Sequence, residues 1–289
     1  MFSFRAHPLI TNDDIASNIA AYAGDDQYLF FAPVCRNWER SWDQRPTTTK
    51  PVTASTSLSQ LLESFECGLK PAASVCEAAA YRGSLELLKC ALENDCPWSS
   101  ATCSKAAEGG HLHGRLDILQ WVREKGCPWD AMTCSGAAQG GHLEILQWAR
   151  ANRCPWDAMT CSGAAQGGHL HVLQWARESG CPWDSTTTLK AAGGGHLLVL
   201  QWARENGCPW HEKTWGKAAR GGHLDILRYA RENDCPRDKD ACLEATRGGH
   251  LPVLEWARAN GCPCSKTCSR AARGGHLDVL RWAQENGCP

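Results

Sequence analysis

Cysteine, histidine and tryptophan are the residues of this chain best equipped for chemistry, and they recur at fixed intervals. The 289 residues include 18 Cys, 11 His and 14 Trp. Cys154, Cys161 and His169 stand for the pattern. Thiolate and imidazole are zinc ligands, so a recurring Cys/Cys/His set is tested first as a metal array. Its spacing is neither Cys-x-x-Cys nor His-x-x-x-His, and no second pair nearby completes a tetrahedral site. The set reads instead as structural, with His169 capping a helix and Cys161 a small packing residue. Cys262, Cys264 and Cys268, with His276 beyond them, break the pattern, because Cys264 stands where other copies carry Trp. A metal site there is the alternative reading. Disulfides between equivalent cysteines are not expected. Stacked helices sit about 8–10 Å apart, whereas a bridge needs Cα atoms within about 7 Å.

The tryptophans form two series. Trp98, Trp129, Trp156, Trp183 and Trp210 follow Cys-Pro; Trp121, Trp148, Trp175, Trp202, Trp256 and Trp282 lie further along each copy. Rings repeated this way are expected to stack as ladders between copies and to supply much of the stability. No phosphate-binding glycine loop with Lys-Ser or Lys-Thr, no nucleophile elbow and no His-Glu-x-x-His motif occurs. No enzyme activity and no cofactor are expected.

These residues are positioned by a repeat. Cys-Pro begins at Cys96, Cys127, Cys154, Cys181, Cys208, Cys235, Cys262 and Cys288, in steps of 31, 27, 27, 27, 27, 27 and 26. Gly-Gly-His-Leu recurs in step, and a degenerate Arg-Gly-Ser-Leu begins at Arg82. About eight units fit between residues 72 and 289, with a leading half unit over Leu58–Cys67. In the unit Cys127–Arg153, a first helix is expected from about Ala131 to Gln139, with Asp130 as N-cap. Gly140-Gly141 ends it. A second helix starts near His142 and stops before Pro155. At 100° per residue, Leu143, Ile145, Leu146 and Ala149 share one arc and Glu144 and Gln147 lie opposite. So short a unit cannot bury its apolar arc alone, and stacking on neighbours makes an all-α solenoid.

The stretch G-H-L-E-I-L-Q-W-A-R-A-N (Gly141–Asn152) resembles the outer helix of ankyrin repeats. Thr133–Ala138 falls where ankyrins carry Thr-Pro-Leu-His-x-Ala-Ala. The resemblance covers roughly three-quarters of the chain. The period of 27 departs from the usual ankyrin length of about 33, and the Pro-Leu-His element is replaced. The shortfall implies trimmed fingers between units. The pattern is similar to divergent ankyrin arrays of brown algae, oomycetes and large DNA viruses, and implies an ankyrin-like solenoid that binds protein.

Residues 1–45 differ in texture. Ile10, Ile15, Ile19 and Tyr22 have helical spacing after a Thr11-Asn12-Asp13 capping cluster. Val34, Cys35 and Trp38, with Trp42 in place of a terminal Leu, resemble the late segment of an F-box. That resemblance implies docking on a cullin-type ubiquitin ligase adaptor through Ile15, Ile19, Val34 and Trp38. The other reading is a helical cap for the first repeat. Residues 46–57, rich in Thr, Ser and Pro, read as a linker to the array at 58–289.

With 30 Lys+Arg against 31 Asp+Glu, the chain is not a general polycation, so neither nucleic acid nor a membrane surface is the expected partner. No apolar run is long enough to span a membrane, and no signal peptide is evident; a cytoplasmic or nuclear location is expected. Positions that vary between units are the ones open to partners. One row reads Lys105, Gly136, Gly163, Lys190, Lys217, Glu244 and Arg270; another reads Glu108, Gln139, Gln166, Gly193, Arg220, Arg247 and Arg273. Both turn basic toward the C-terminus. The ankyrin resemblance implies that first helices line the concave face, so a basic stripe of Lys190, Lys217, Arg220, Arg247, Arg270 and Arg273 is expected there, suited to an acidic protein segment. A solvated face, a scaffold or host-directed effector without ligase coupling, and a metal or redox sensor are the alternatives. Leu277, Val279 and Leu280 are expected to form a partly open terminal face.

Overall fold

The computed structural model describes residues 70–109, 114–236, 238, 240–261 and 267–288. Among them are sixteen helices and no strand, arranged as eight consecutive pairs. The pairs are α1 (Ala73–Arg82) and α2 (Leu85–Glu93), α3 (Ser100–Glu108) and α4 (Gly114–Glu124), α5 (Ala131–Gln139) and α6 (Leu143–Ala151), and α7 (Ala158–Gly167) and α8 (Leu170–Glu178). They continue as α9 (Ser185–Gly194) and α10 (Leu197–Glu205), α11 (Thr214–Gly221) and α12 (Leu224–Glu232), α13 (Ala241–Gly248) and α14 (Leu251–Ala259), and α15 (Thr267–Gly274) and α16 (Leu277–Glu285). The chain is an all-α helical solenoid over these residues.

Local chemistry fixes the helix limits. Asp130, Asp157 and Asp184 hold extended backbone, and each carboxylate accepts from the amide two residues on, as Asp157 does from Met159 N at 2.8 Å. That satisfies one of the amides left without a partner in the first turn. At the other end, Gly168 takes φ +78 and its amide reaches back to the carbonyls of Ala164 and Ala165. Only glycine enters that left-handed region without a steric cost.

Each first helix packs on the first helix of the next unit along the array, as α5 does on α7 and α7 on α9. Small side chains permit the approach. Ala137, Ala138, Ala164 and Ala165 are fully buried, and a Cβ at Gly136 would lie 2.5 Å from the Ser104 carbonyl oxygen. Gly136 and Gly163 are therefore packing residues and not open positions, although their row varies between units. In the second helices Ile145, Leu146 and Ala149 are buried, Leu143 half-buried, and Glu144 and Gln147 exposed, as the helical arc requires. In α16, Leu277 is exposed, Leu280 half-buried and Val279 buried, so the expected open face reduces to Leu277 and part of Leu280.

Histidine works differently from expectation. His169 precedes α8 but makes no side-chain bond to that helix's amides. The rings instead bridge units: His196 Nε2 donates to the Gln166 carbonyl (3.0 Å) and His250 Nε2 to the Arg220 carbonyl (3.0 Å). A first helix ends with carbonyls lacking intrahelical partners, and the ring of the next unit supplies a donor. His196 also fills the space beside Gly168, where a Cβ would lie 2.5 Å from Nδ1.

Candidate protein-recognition face

In a first helix, residues at i, i+4 and i+7 share one face. Three such sets are Met132, Gly136 and Gln139 on α5; Met159, Gly163 and Gln166 on α7; and Thr186, Lys190 and Gly193 on α9. Lys213, Lys217 and Arg220 continue the series, the Lys217 amide bonding to the Lys213 carbonyl at 3.0 Å in a helical turn. Stacking of first helix on first helix sets these faces side by side.

The face changes character along the array. At its start Lys105 is committed, 2.6 Å from Glu108 and over the Tyr81 ring at 5.8 Å, while Gln139 donates to Glu108 at 3.1 Å. Next come Met132 and Met159, 44% and 47% exposed, each beside the cap carboxylate, Asp130 or Asp157, that accepts from its amide. Then Lys190, Lys213, Lys217 and Arg220 are all exposed. Among the described residues no carboxylate pairs with Lys190, Lys213 or Lys217.

The six cations expected to form one stripe all lie on first helices, with Lys190, Lys217, Arg220, Arg247 and Arg273 exposed and Arg270 half-buried. They do not form one field. Glu244 ion-pairs with Arg247 and lies 3.9 Å from Arg220, so it neutralises the middle of the row. The densest positive block is Lys190, Lys213, Lys217 and Arg220. Lys213 belongs to it by the i, i+4 relation to Lys217, a signal present in the sequence but hidden in the variable stretch after Cys-Pro-Trp.

With one exception, Trp215, the tryptophans pair within units and not between them. Trp129 meets Trp148 edge to face with centroids 5.7 Å apart, and Trp183 meets Trp202 at 5.8 Å. Arginine makes the link between units: Arg123 lies over Trp129 at 4.2 Å and Arg150 over Trp156 at 4.1 Å, each also donating to the next Cys-Pro carbonyl. Where Trp215 replaces the first-helix cysteine, its ring stacks on Trp256 of the following unit at 5.8 Å.

None of the described cysteines forms a disulfide. Non-equivalent cysteines nevertheless meet across units. Cys103 bonds to Cys127, Cys134 to Cys154 and Cys161 to Cys181, and Cys154 Sγ donates onward to the Asp130 carbonyl at 3.4 Å. The hydrogen bond to the partner sulfur, reinforced by burial, pushes the first-helix thiol of each pair up and keeps it protonated and unreactive. Among the described residues no group of three or more His, Cys, Asp or Glu side chains could hold a metal ion. Cys262 and Cys264, and the adaptor-docking residues Ile15, Ile19, Val34 and Trp38, lie outside the described residues. No helix of the described residues is long and apolar enough to cross a membrane. No family model matches the chain, and no curated protein matches it.

Proposed function

We propose that the chain is a non-enzymatic recognition protein. Its ankyrin-like array holds a protein target with an acidic segment, and its F-box-like N-terminal module delivers that target to a cullin-type ubiquitin ligase adaptor. The observation that carries the reading is the block of exposed cations on the stacked first helices, Lys190, Lys213 and Lys217, which pair with no carboxylate among the described residues, with Arg220 beside them. A cationic patch on rigid elements attracts an acidic partner and fixes its register. The chain's net charge of -1 makes this a local feature and not the broad positive field of a nucleic-acid binder. The ligase coupling rests on Val34, Cys35 and Trp38 alone. A cytoplasmic or nuclear location belongs to the same reading.

Affinity purification of the intact chain, with identification of what accompanies it, tests both halves. The expected companions are a cullin-ligase adaptor, lost on Trp38→Ala, and a target, lost on the double change Lys190→Glu and Lys217→Glu. A target retained without any adaptor supports a scaffold or effector without ligase coupling. A target that survives the charge reversal overturns the assignment of the face.

A further inference from the structure

From the order of side chains along the first-helix face, we infer that it is a two-part groove for an extended peptide, reading two apolar residues at one end and two acidic residues at the other. This deepens the target-recognition reading above and rests on it.

Four consecutive units carry the argument. Met132 and Met159 are exposed on helices that carry no charged residue of their own, the cap carboxylates of Asp130 and Asp157 being bonded to their amides. Methionine is flexible and polarisable, and adapts to varied apolar side chains. Gly136 and Gly163, one turn further on, pack against the preceding first helix and add no side chain of their own. In the next two units Lys190 and Lys217 take the place of those glycines, and no carboxylate among the described residues pairs with either. Both ends of this stretch are closed. Before it, Lys105, Glu108, Gln139 and Tyr81 satisfy one another; after it, Glu244 engages Arg220 and Arg247. An acidic segment is drawn to the lysine half and repelled by Glu244, so charge fixes one end of the ligand.

The stacking sets the spacing. First helices packed side by side repeat every 8–10 Å or so, and an extended chain advances about 3.3 Å per residue. One unit therefore spans about three residues. The matching ligand has apolar residues at its first and fourth positions and acidic residues at its seventh and tenth, or the same order reversed.

The test is fluorescence anisotropy on the intact chain, with labelled peptides of Ser, Asn and Gly carrying Leu, Leu, Glu, Glu at that spacing, in both directions. Expected is binding of one direction, with affinity about tenfold above a peptide of equal composition in which Leu and Glu alternate. Lys190→Glu with Lys217→Glu abolishes this binding. Met132→Ser with Met159→Ser, both at exposed positions, weakens it several-fold while leaving its salt dependence intact. Equal binding of the alternating peptide, of a peptide lacking Leu, or of a single-stranded oligonucleotide overturns the two-part groove, as does no binding of either direction. The two readings fail differently. If charge reversal releases the natural target but the methionine changes do not, recognition by the cationic block stands and the apolar half falls.

Discussion

The guanidinium of Arg177 lies over the ring of Trp183, 4.2 Å from its centre, across the boundary between two repeat units. The same side chain donates to the Cys181 carbonyl. A flat, delocalised cation satisfies both demands at once, and a lysine ammonium cannot. Arg177→Met is expected to lower stability by about 1–2 kcal/mol, with Arg177→Lys recovering only part of the loss. Urea unfolding followed by circular dichroism reads the difference; a neutral Arg177→Met would show that the stacked pair contributes nothing net.

Two glycines with nearly the same backbone angle should respond differently. Gly168 has φ +78 and Gly180 has φ +82. A Cβ at Gly180 meets nothing within 4 Å, whereas at Gly168 it would meet His196 Nδ1 at 2.5 Å. Gly180→Ala should cost only the left-handed strain, about 1–2 kcal/mol. Gly168→Ala should cost more, because His196 must also move and give up its bond to the Gln166 carbonyl. Equal losses in melting temperature for the two variants would contradict the packing role of the histidine ring.

Asp157 caps α7 through its carboxylate, which accepts from Met159 N. Asp157→Ala should destabilise the array by about 1 kcal/mol, while Asp157→Asn keeps an acceptor and loses little. Thermal melts of the three proteins side by side check this order.

Alkaline pH should weaken the fold through buried thiols. Burial raises Cys76 and Cys235 from the ordinary 9.0 to about 12, and Cys208 to about 11. In the unfolded chain these thiols ionise near 9.0, while in the folded chain they stay protonated to higher pH. The unfolded state therefore binds fewer protons in that window, and stability falls as pH rises from 9.0 toward about 12. Below 9.0 these thiols add no pH dependence. Cys235→Ala should shallow the decline in melting temperature above pH 9.0; an unchanged slope would remove Cys235 from the account.

What could be read from the residues alone was whatever a single unit determines. Asp130 as cap, the limits of α5, the break at Gly141 and the buried arc of α6 are all local, and helical periodicity with capping chemistry fixes them. What escaped depends on the offset between stacked units. Cys134 meets Cys154 and not its own counterpart Cys161. His196 reaches back to Gln166, and Arg150 finds Trp156. Each contact needs the distance and rotation from one unit to the next, which no local pattern encodes. The cationic face was legible as a tendency, but Glu244 on the same helix as Arg247 decided where it is interrupted.

The bonds that bridge units, from the His196 ring to Gln166 and from Arg177 to Cys181, join immediate neighbours and span nearly constant stretches of chain. Unequal crossing-over that gains or loses one whole unit, between units that carry these contacts, would restore them at the new junction. The surface residues between them are bound by no such rule. A gene built this way can lengthen, shorten and reshuffle this surface by recombination while keeping the contacts between units, and the proposed groove is one arrangement drawn from a large combinatorial supply.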